Sequence, residues 1–351
     1  MEMKRAALVG ISGYAGMEAA RLLAMHPEMR LSMACSRAEA GKRLGDYYPF
    51  LRHLPGSELE ISVYEPERCA ELCDVALLAV PAGTAMKMAS ELLALGVKVV
   101  DFSADFRLNG QSLYEEWYKL PHTAPELLPS AVYGIPELNA GKLRQARLVA
   151  NPGCYPTAAI LALWPLLEKK LIKPEGIIID AKSGASGAGR KASIPLLFCE
   201  LSDNFRAYGI PGHRHTPEIE QELGKAAGKA IKLVFTPHIV PMKRGILESI
   251  YVEPAPGAAG VEDLRDLLRA HWQAHPWIRI LPEGSLPETA SVRGSMFCDI
   301  GLVMDKRAGR LIVLSAIDNL CRGAAGQAIA NANLMLGLDV DAGLRDLSPL
   351  P

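Results

Sequence analysis

The chain has 351 residues, 49% hydrophobic and 22% charged, which suits one large or two ordinary globular domains and excludes a disordered, fibrous or small stapled protein. With 38 Lys and Arg against 39 Asp and Glu, the formal net charge is -1, so no whole-molecule field draws it to nucleic acid or anionic lipid. The longest apolar run, residues 158–167, contains Pro165 and falls well short of the ~20 residues that span a bilayer. Residues 6–9 form a short buried-strand run, and residues 17–25 carry apolar positions at helical spacing until Pro27 closes the helix. Residues 31–35, 73–80 and 97–101 read as further strands, with a helix over 84–95. Strands and helices alternating at this pitch predict a parallel sheet covered on both faces.

Residues 108–145 combine weak periodicity with many prolines, and an irregular surface excursion is expected there. A helix from about 156 to 170, a strand over 176–180, and β-rich runs at 232–235, 247–252 and 311–315 then predict a second domain on a mixed sheet. The last long element is a small-residue-rich helix over 324–336, after the turn at 318–323. The fold class expected is α/β: a Rossmann-type doubly wound parallel sheet over 1–150, an α+β domain with a mixed sheet over 151–317, and 318–351 returning as a helix to the first domain. The N-terminus lacks the apolar core of a secretory signal, so a cytoplasmic location is expected. Seven cysteines without C-x-x-C spacing predict reduced thiols, and all but Cys154 are read as buried and inert. His271 and His275 stand four apart without a third ligand, and no metal is expected.

Gly10-Ile11-Ser12-Gly13-Tyr14-Ala15-Gly16 lies where a pyrophosphate-binding turn must, between the first strand and the first helix. Glycines there admit backbone N–H groups to the phosphates, and the helix N-terminus adds positive potential. The spacing is G-x-x-G-x-x-G and not G-x-G-x-x-G, so its position carries the reading. The second strand ends in Cys35-Ser36-Arg37, where an acidic residue would hold a ribose 2′-hydroxyl. Arg37 beside Ser36 suits a 2′-phosphate and favours NADP, whereas Glu39 would serve an NAD ribose.

In Asn151-Pro152-Gly153-Cys154-Tyr155-Pro156-Thr157, Cys154 falls between a β-like run and an apolar helix. A helix N-terminus favours thiolate, and amides of such a turn can hold the oxyanion formed when sulfur attacks a carbonyl. Gly212-His213-Arg214-His215-Thr216-Pro217-Glu218 supplies two imidazoles before a helix, with Thr216 expected as its cap and Pro217 as its first residue. His215 is read as the acid/base, with Glu218 reaching back to orient its ring. His213 points to the opposite side if the piece is extended, and there it binds substrate or structures the loop. The glycine-rich loop from Ser183 to Lys191 suits an anionic group such as a phosphate, and its Ser186 and Gly187 are assigned to the cofactor.

A nicotinamide cofactor with a nucleophilic Cys and a His partner fits the reversible conversion of an activated acyl group to an aldehyde through a thioester. On the residues above, with Asp101 to Arg107, Pro241 to Gly245 and Asp318 to Gln327, the sequence resembles the N-acetyl-gamma-glutamyl-phosphate reductases of arginine biosynthesis over nearly its whole length. That family is related to aspartate-semialdehyde dehydrogenase. The resemblance implies that Cys154 attacks the gamma-acyl phosphate, phosphate leaves, NADPH reduces the thioester, and collapse of a thiohemiacetal releases the semialdehyde. It places Arg107, Arg190 or Arg244 on the substrate's carboxylate and phosphate, Asn151 and His213 beside the substrate, and Asn319 and Gly323 against the nicotinamide side. It also implies a catalytic and dimerisation role for the second domain, and a homodimer or homotetramer. Two other readings stand: the same chemistry on carrier-bound aminoadipyl phosphate or aspartyl phosphate, and a nonenzymatic NADP-sensing module in which Cys154 only packs.

Overall fold

In the computed structural model, which describes residues 2–257 and 260–345, the chain clusters into two units. One runs to Pro152 and resumes at Ala324, and the other covers Gly153–Gly323. The first threads β1 (Lys4–Val9), α1 (Tyr14–Ala24), β2 (Met29–Cys35), α2 (Leu44–Tyr47), β3 (Ile61–Ser62), α3 (Pro66–Leu72) and β4 (Val75–Leu78). It continues through α4 (Ala85–Ala94), β5 (Lys98–Asp101), α5 (Gln111–Tyr118), β6 (Ala131–Tyr133), α6 (Pro136–Leu143) and β7 (Leu148–Ala150). Every pairing is parallel, in the order β3-β2-β1-β4-β5-β7-β6. β1, β4, β5 and β7 lie inside the sheet with both faces covered, which is why they read as unbroken apolar runs. The order reverses between β1 and β4, the switch point at which doubly wound sheets open a crevice beyond their carboxyl ends.

The expectation of an irregular excursion over 108–145 is wrong. That stretch holds α5, the edge strand β6 and α6, elements of eight, three and eight residues. None is long enough to display a period, and Asn139 breaks α6 with non-helical backbone. β3 and α3 escaped the sequence reading for the same reason.

The second unit contains α7 (Cys154–Glu168), β8 (Ile178–Gly184), α8 (Phe198–Leu201), β9 (Arg206–Ala207), α9 (Thr216–Ala227), β10 (Val234–Val240) and β11 (Ile246–Val252). α10 (Val261–Trp272), β12 (Ile278–Ile280), β13 (Cys298–Asp305) and β14 (Arg310–Ile317) complete it. Its sheet runs β12-β13-β14-β11-β8-β10-β9, with β8/β10 and β12/β13 parallel and the other pairs antiparallel. α7 is apolar nearly all round and packs on β11, β14 and α9, as a helix without a polar face must. It begins at Cys154, two residues before the expected start. α9 begins at Thr216 with His215 as its cap, so Pro217 is its second residue and not its first. Cys199 is exposed, against the expectation of a buried thiol. No helix among the described residues is long and apolar enough to cross a membrane.

After a π-turn at Cys321–Ala325 the chain re-enters the first unit as α11 (Gly326–Met335), which is wholly buried. Its polar side chains are used as ties. Asn331 Nδ2 donates to Gly134 O at 2.9 Å and to Asn151 Oδ1 at 3.1 Å, and Asn333 Oδ1 meets His26 Nε2 at 3.0 Å. A Cβ on Gly134 would lie 2.3 Å from Asn331 Nδ2, so this approach needs glycine.

Glu248 is an anomaly in the second core. It sits in mid-β11, fully buried, opposite Ala181 of β8 and Ser315 of β14, and neither carboxyl oxygen has a hydrogen-bond partner. Ser315 Oγ donates to Ala158 O, so this face of the sheet lies under α7. Burial raises the carboxyl well above its ordinary 4.5, the Lys182 charge opposing only in part. A raised acid contributes stability below its unfolded pKa and loses it as pH climbs toward the folded one. Glu248→Met should therefore stabilise the fold by ~1–3 kcal/mol at neutral pH. The gain should shrink toward pH 4.5, which urea unfolding at several pH values would measure.

Candidate active site

In the first unit the glycine turn is closed by two of its glycines and left open at the third. A Cβ on Gly10 (φ +94) would lie 2.1 Å from Ala79 O, and one on Gly16 would lie 2.3 Å from Gly10 O. At Gly13 it would meet only Gly10 O, at 3.6 Å. Gly10 N and Ile11 N donate to Cys35 O at 2.9 and 3.1 Å, which ties the turn to the end of β2. Ser36 Oγ donates to Ser12 Oγ at 3.3 Å, and Tyr48 Oη donates to Ile11 O at 2.9 Å. Tyr14 and Ala15 open α1, whose first turn carries no acidic side chain to cancel its positive end. This open cradle at a helix N-terminus fits a dinucleotide pyrophosphate. Arg37 is exposed beside it, while Glu39 is held by Lys42 at 2.6 Å. Tyr48 had no sequence signal, since 37 residues separate it from the carbonyl it holds.

At the carboxyl ends of β5 and β7, Arg107 Nε donates to Asn151 O at 2.8 Å and Nη2 to Phe102 O at 2.7 Å. Asn151 Nδ2 donates to Ala324 O at 3.0 Å, so the fold brings Arg107 and Asn151 together. Next to them Asp101 accepts from Ser103 N and Oγ at 2.8 and 2.7 Å; burial, helped by Asp105, pushes its carboxyl up to about 7. Asp105 accepts the amides of Gly83 and Ala85 and the Tyr114 hydroxyl, closing the start of α4.

In the second unit Cys154 is the first residue of α7 and partly exposed. Glu218, buried in the first turn of α9, accepts the Gly153 amide at 2.8 Å, and Thr157 N and Oγ1 both donate to Gly153 O. A Cβ on Gly323 would lie 2.6 Å from Cys154 Cβ, so only glycine lets the turn after β14 approach this residue. The histidine segment is not extended. His215 N donates to His213 Nδ1 at 3.1 Å and Thr216 N to His213 O at 2.9 Å, folding it into a turn. Both rings therefore meet Tyr155 edge-on, at 5.7 and 5.8 Å, and lie 5.0 Å apart, instead of facing opposite ways. Burial, with Arg214 nearby, lowers the His213 imidazole to about 4, consistent with an Nδ1 that accepts. Tyr155 Oη also lies 3.0 Å from Tyr208 Oη, a pairing that sequence reasoning missed because the two are 53 residues apart.

The loop after β8 is less free than glycine content alone predicts. Ala185 N and Ser186 N donate to Met242 O and Lys243 O, and Ser186 to Ala188 form a 3₁₀ turn with Ala185. Asn319 Nδ2 donates to Ser186 Oγ at 3.0 Å while its Oδ1 accepts from Gly245 N at 2.8 Å. A Cβ on Gly187 would stand 3.6 Å from the Asn319 amide, so Ser186, Gly187 and Asn319 form one group. Arg244 Nε and Nη2 donate to both oxygens of the buried Asp318, at 2.9 and 2.7 Å, and Arg190 is exposed farther along the loop. Among the described residues no three His, Cys, Asp or Glu gather as metal ligands.

Residues 5–146 match the family model described as semialdehyde dehydrogenase, NAD binding domain, and residues 154–319 match semialdehyde dehydrogenase, dimerisation domain. N-acetyl-gamma-glutamyl-phosphate reductase of Geotalea daltonii is 51% identical over 99% of this chain and all of its own length. The Geobacter sulfurreducens protein of the same name is 49% identical with the same coverage. Aspartate semialdehyde dehydrogenase II of Vibrio cholerae, solved with ASA, superposes with a TM-score of 0.72 at 18% identity, covering 96% of this chain and 99% of its own. Aspartate semialdehyde dehydrogenase of Candida albicans, solved with NADP, gives 0.72 at 20% identity over 95% and 99%; both likenesses speak to fold alone. The full-length identities and the two domain matches show that the chain belongs to the N-acetyl-gamma-glutamyl-phosphate reductase family.

Proposed function

We propose that the chain reduces N-acetyl-gamma-glutamyl phosphate to N-acetylglutamate 5-semialdehyde and phosphate, with NADPH as reductant and a thioester on Cys154 as intermediate. The observation that carries this reading is Cys154 at the first position of α7, with the His213–His215 turn packed on the adjoining Tyr155. His215 takes the thiol proton, and the positive end of α7 favours the thiolate and the oxyanion formed when sulfur attacks the acyl carbon. Phosphate leaves as the thioester forms. Bound NADPH supplies the hydride. His215 then moves the proton of the thiohemiacetal as its C–S bond breaks, which regenerates the thiolate and frees the aldehyde. Glu218 holds the cysteine turn through Gly153 and supports the histidine turn from the same helix.

The Gly10–Gly16 turn would hold the pyrophosphate, Ser36 and Arg37 the 2′-phosphate, and Ser186, Gly187 and Asn319 the rest of the cofactor. Glu39 is committed to Lys42, which supports NADP over NAD. For the substrate's anionic groups we assign Arg107, Arg190 and Arg244, with Arg244 oriented by Asp318, and for the rest of the substrate Asn151 and His213. The working unit in this reading is a homodimer or homotetramer.

Cys154→Ala should cut turnover by ~10³-fold or more while NADPH still quenches or enhances protein fluorescence on binding. Near-normal turnover would end the covalent mechanism. Arg37→Ala should weaken NADPH binding by about tenfold or more and leave NADH binding nearly unchanged, measured by fluorescence titration. Because burial keeps His213 neutral well below physiological pH, His213→Gln should leave the pH profile of kcat/KM above ~pH 5 in place, whereas His215→Asn should lower kcat/KM by ~10²–10⁴-fold, measured by steady-state kinetics. A panel of aldehydes assayed with NADP⁺ and inorganic phosphate tests the substrate assignment, since only the N-acetylated five-carbon semialdehyde should be turned over well.

A further inference from the structure

Ile317, the last residue of β14, pairs with Ile246, the first of β11, and with Cys298, the first of β13. This register gathers three segments of the second unit at one end of its sheet: those before β11, before β13 and after β14. Asp318 follows Ile317 there and is fully buried. Its Oδ2 accepts from Arg244 Nε at 2.9 Å and from Gly294 N at 2.8 Å. Its Oδ1 accepts from Arg244 Nη2 at 2.7 Å, Leu320 N at 2.9 Å and Cys321 N at 2.6 Å. Bonds to the amides two and three residues ahead are the ordinary behaviour of an aspartate that starts a turn. Holding an arginine and a glycine amide from two other segments goes beyond it. The far end of the turn also abuts the nucleophile: Gly323 N donates to Asp318 O at 2.9 Å, and a Cβ on Gly323 would lie 2.6 Å from Cys154 Cβ.

We propose that Asp318 is a positioning residue for the reaction, setting through one carboxyl group both the direction of the Arg244 guanidinium and the wall that Gly323 presents to Cys154. The two parallel bonds fix the plane of the guanidinium, which a point charge on a flexible stem would not have. The bonds to Leu320 and Cys321 fix the start of the turn whose other end carries Gly323. The next residue works in the same way. Asn319 Oδ1 accepts from Gly245 N while its Nδ2 donates to Ser186 Oγ. Two consecutive residues after β14 thus grip two consecutive residues before β11. The first serves the substrate's arginine and the nucleophile, and the second serves the loop assigned to the cofactor. The half that runs through Arg244 rests on the proposed reaction, whereas the half that runs to Cys154 concerns the confinement of a thiol and stands apart from it.

The test uses the whole protein and reads the two halves separately. Asp318→Asn keeps the volume but turns an N–H toward other donors whichever way its amide lies, and circular dichroism reports whether the fold stands. Alkylation of Cys154 by iodoacetamide, followed by peptide mass spectrometry, should become roughly tenfold faster with the midpoint of its pH dependence in place, because access changes and the helix start does not. The KM for the acyl phosphate should rise about tenfold and kcat should fall. A role confined to folding would lower the melting temperature and leave these readouts unchanged in folded protein. Gly323→Ala tests the wall with the bonds of Asp318 intact: the turn is pinned, so the added methyl displaces Cys154, slowing its alkylation and lowering kcat by ~10²-fold. Arg244→Lys keeps the charge without the two-point bond and should raise KM nearly as far as Arg244→Ala. Wild-type alkylation of Cys154 in folded Asp318→Asn, or normal alkylation and kcat in Gly323→Ala, would overturn the coupling to the nucleophile. Full rescue of KM by Arg244→Lys would overturn the orienting role. An unchanged KM in Arg244→Ala would overturn the assignment of Arg244 in the proposed reaction, and the half that runs through it, while the alkylation result decides the other half.

Discussion

The bond from the Gly153 amide to the buried Glu218 carboxylate joins the starts of α7 and α9, and the second unit's site depends on it. Losing this bond would leave an unpaired N–H where water is scarce. The consequence is positional. Cys154 comes immediately after Gly153, and the two histidines come immediately before α9, so clamping the helix starts holds the start of α7 beside the histidine turn. α7 can serve as the fixed side of this clamp because it is apolar nearly all round and embedded against β11 and β14.

The first unit uses its polar groups in the opposite way around one gap. Asn331, Asn333, Lys98, Arg107 and Asp105 are all engaged with backbone or with one another, fixing α11, β7 and the start of α4. The turn from Gly10 to Gly16 is different. Gly10 and Gly16 are filled by neighbouring carbonyls, but the face of Gly13 stays open at the positive end of α1. A ligand with closely spaced negative charge is what such a gap stabilises, and Ser36 and Arg37 follow the carboxyl end of β2.

Buried groups without partners mark where the structure departs from economy. Glu248 lies under α7 with neither oxygen bonded, a cost that a family with this core geometry could relieve with any apolar side chain of similar volume. Asp101 differs, since Ser103 offers it two bonds and only burial and the neighbouring Asp105 hold its proton near neutrality. In both acids burial is the dominant cause of the rise, and the donors at Asp101 offset it only in part.

The sequence alone determined the layered α/β plan, because central parallel strands buried on both faces must be written as short unbroken apolar runs. It also placed a glycine turn before the first helix and Cys154 close to the start of an apolar helix, since both are local patterns. The short elements between Gln111 and Leu143 were not legible, as eight residues cannot display a helical period. Only the tertiary structure decided which groups meet: that Glu218 reaches Gly153, that Tyr208 reaches Tyr155, and that the histidine turn directs both rings to one side. Those contacts join residues tens of positions apart, and their geometry depends on strand register and helix packing, which no local spacing encodes.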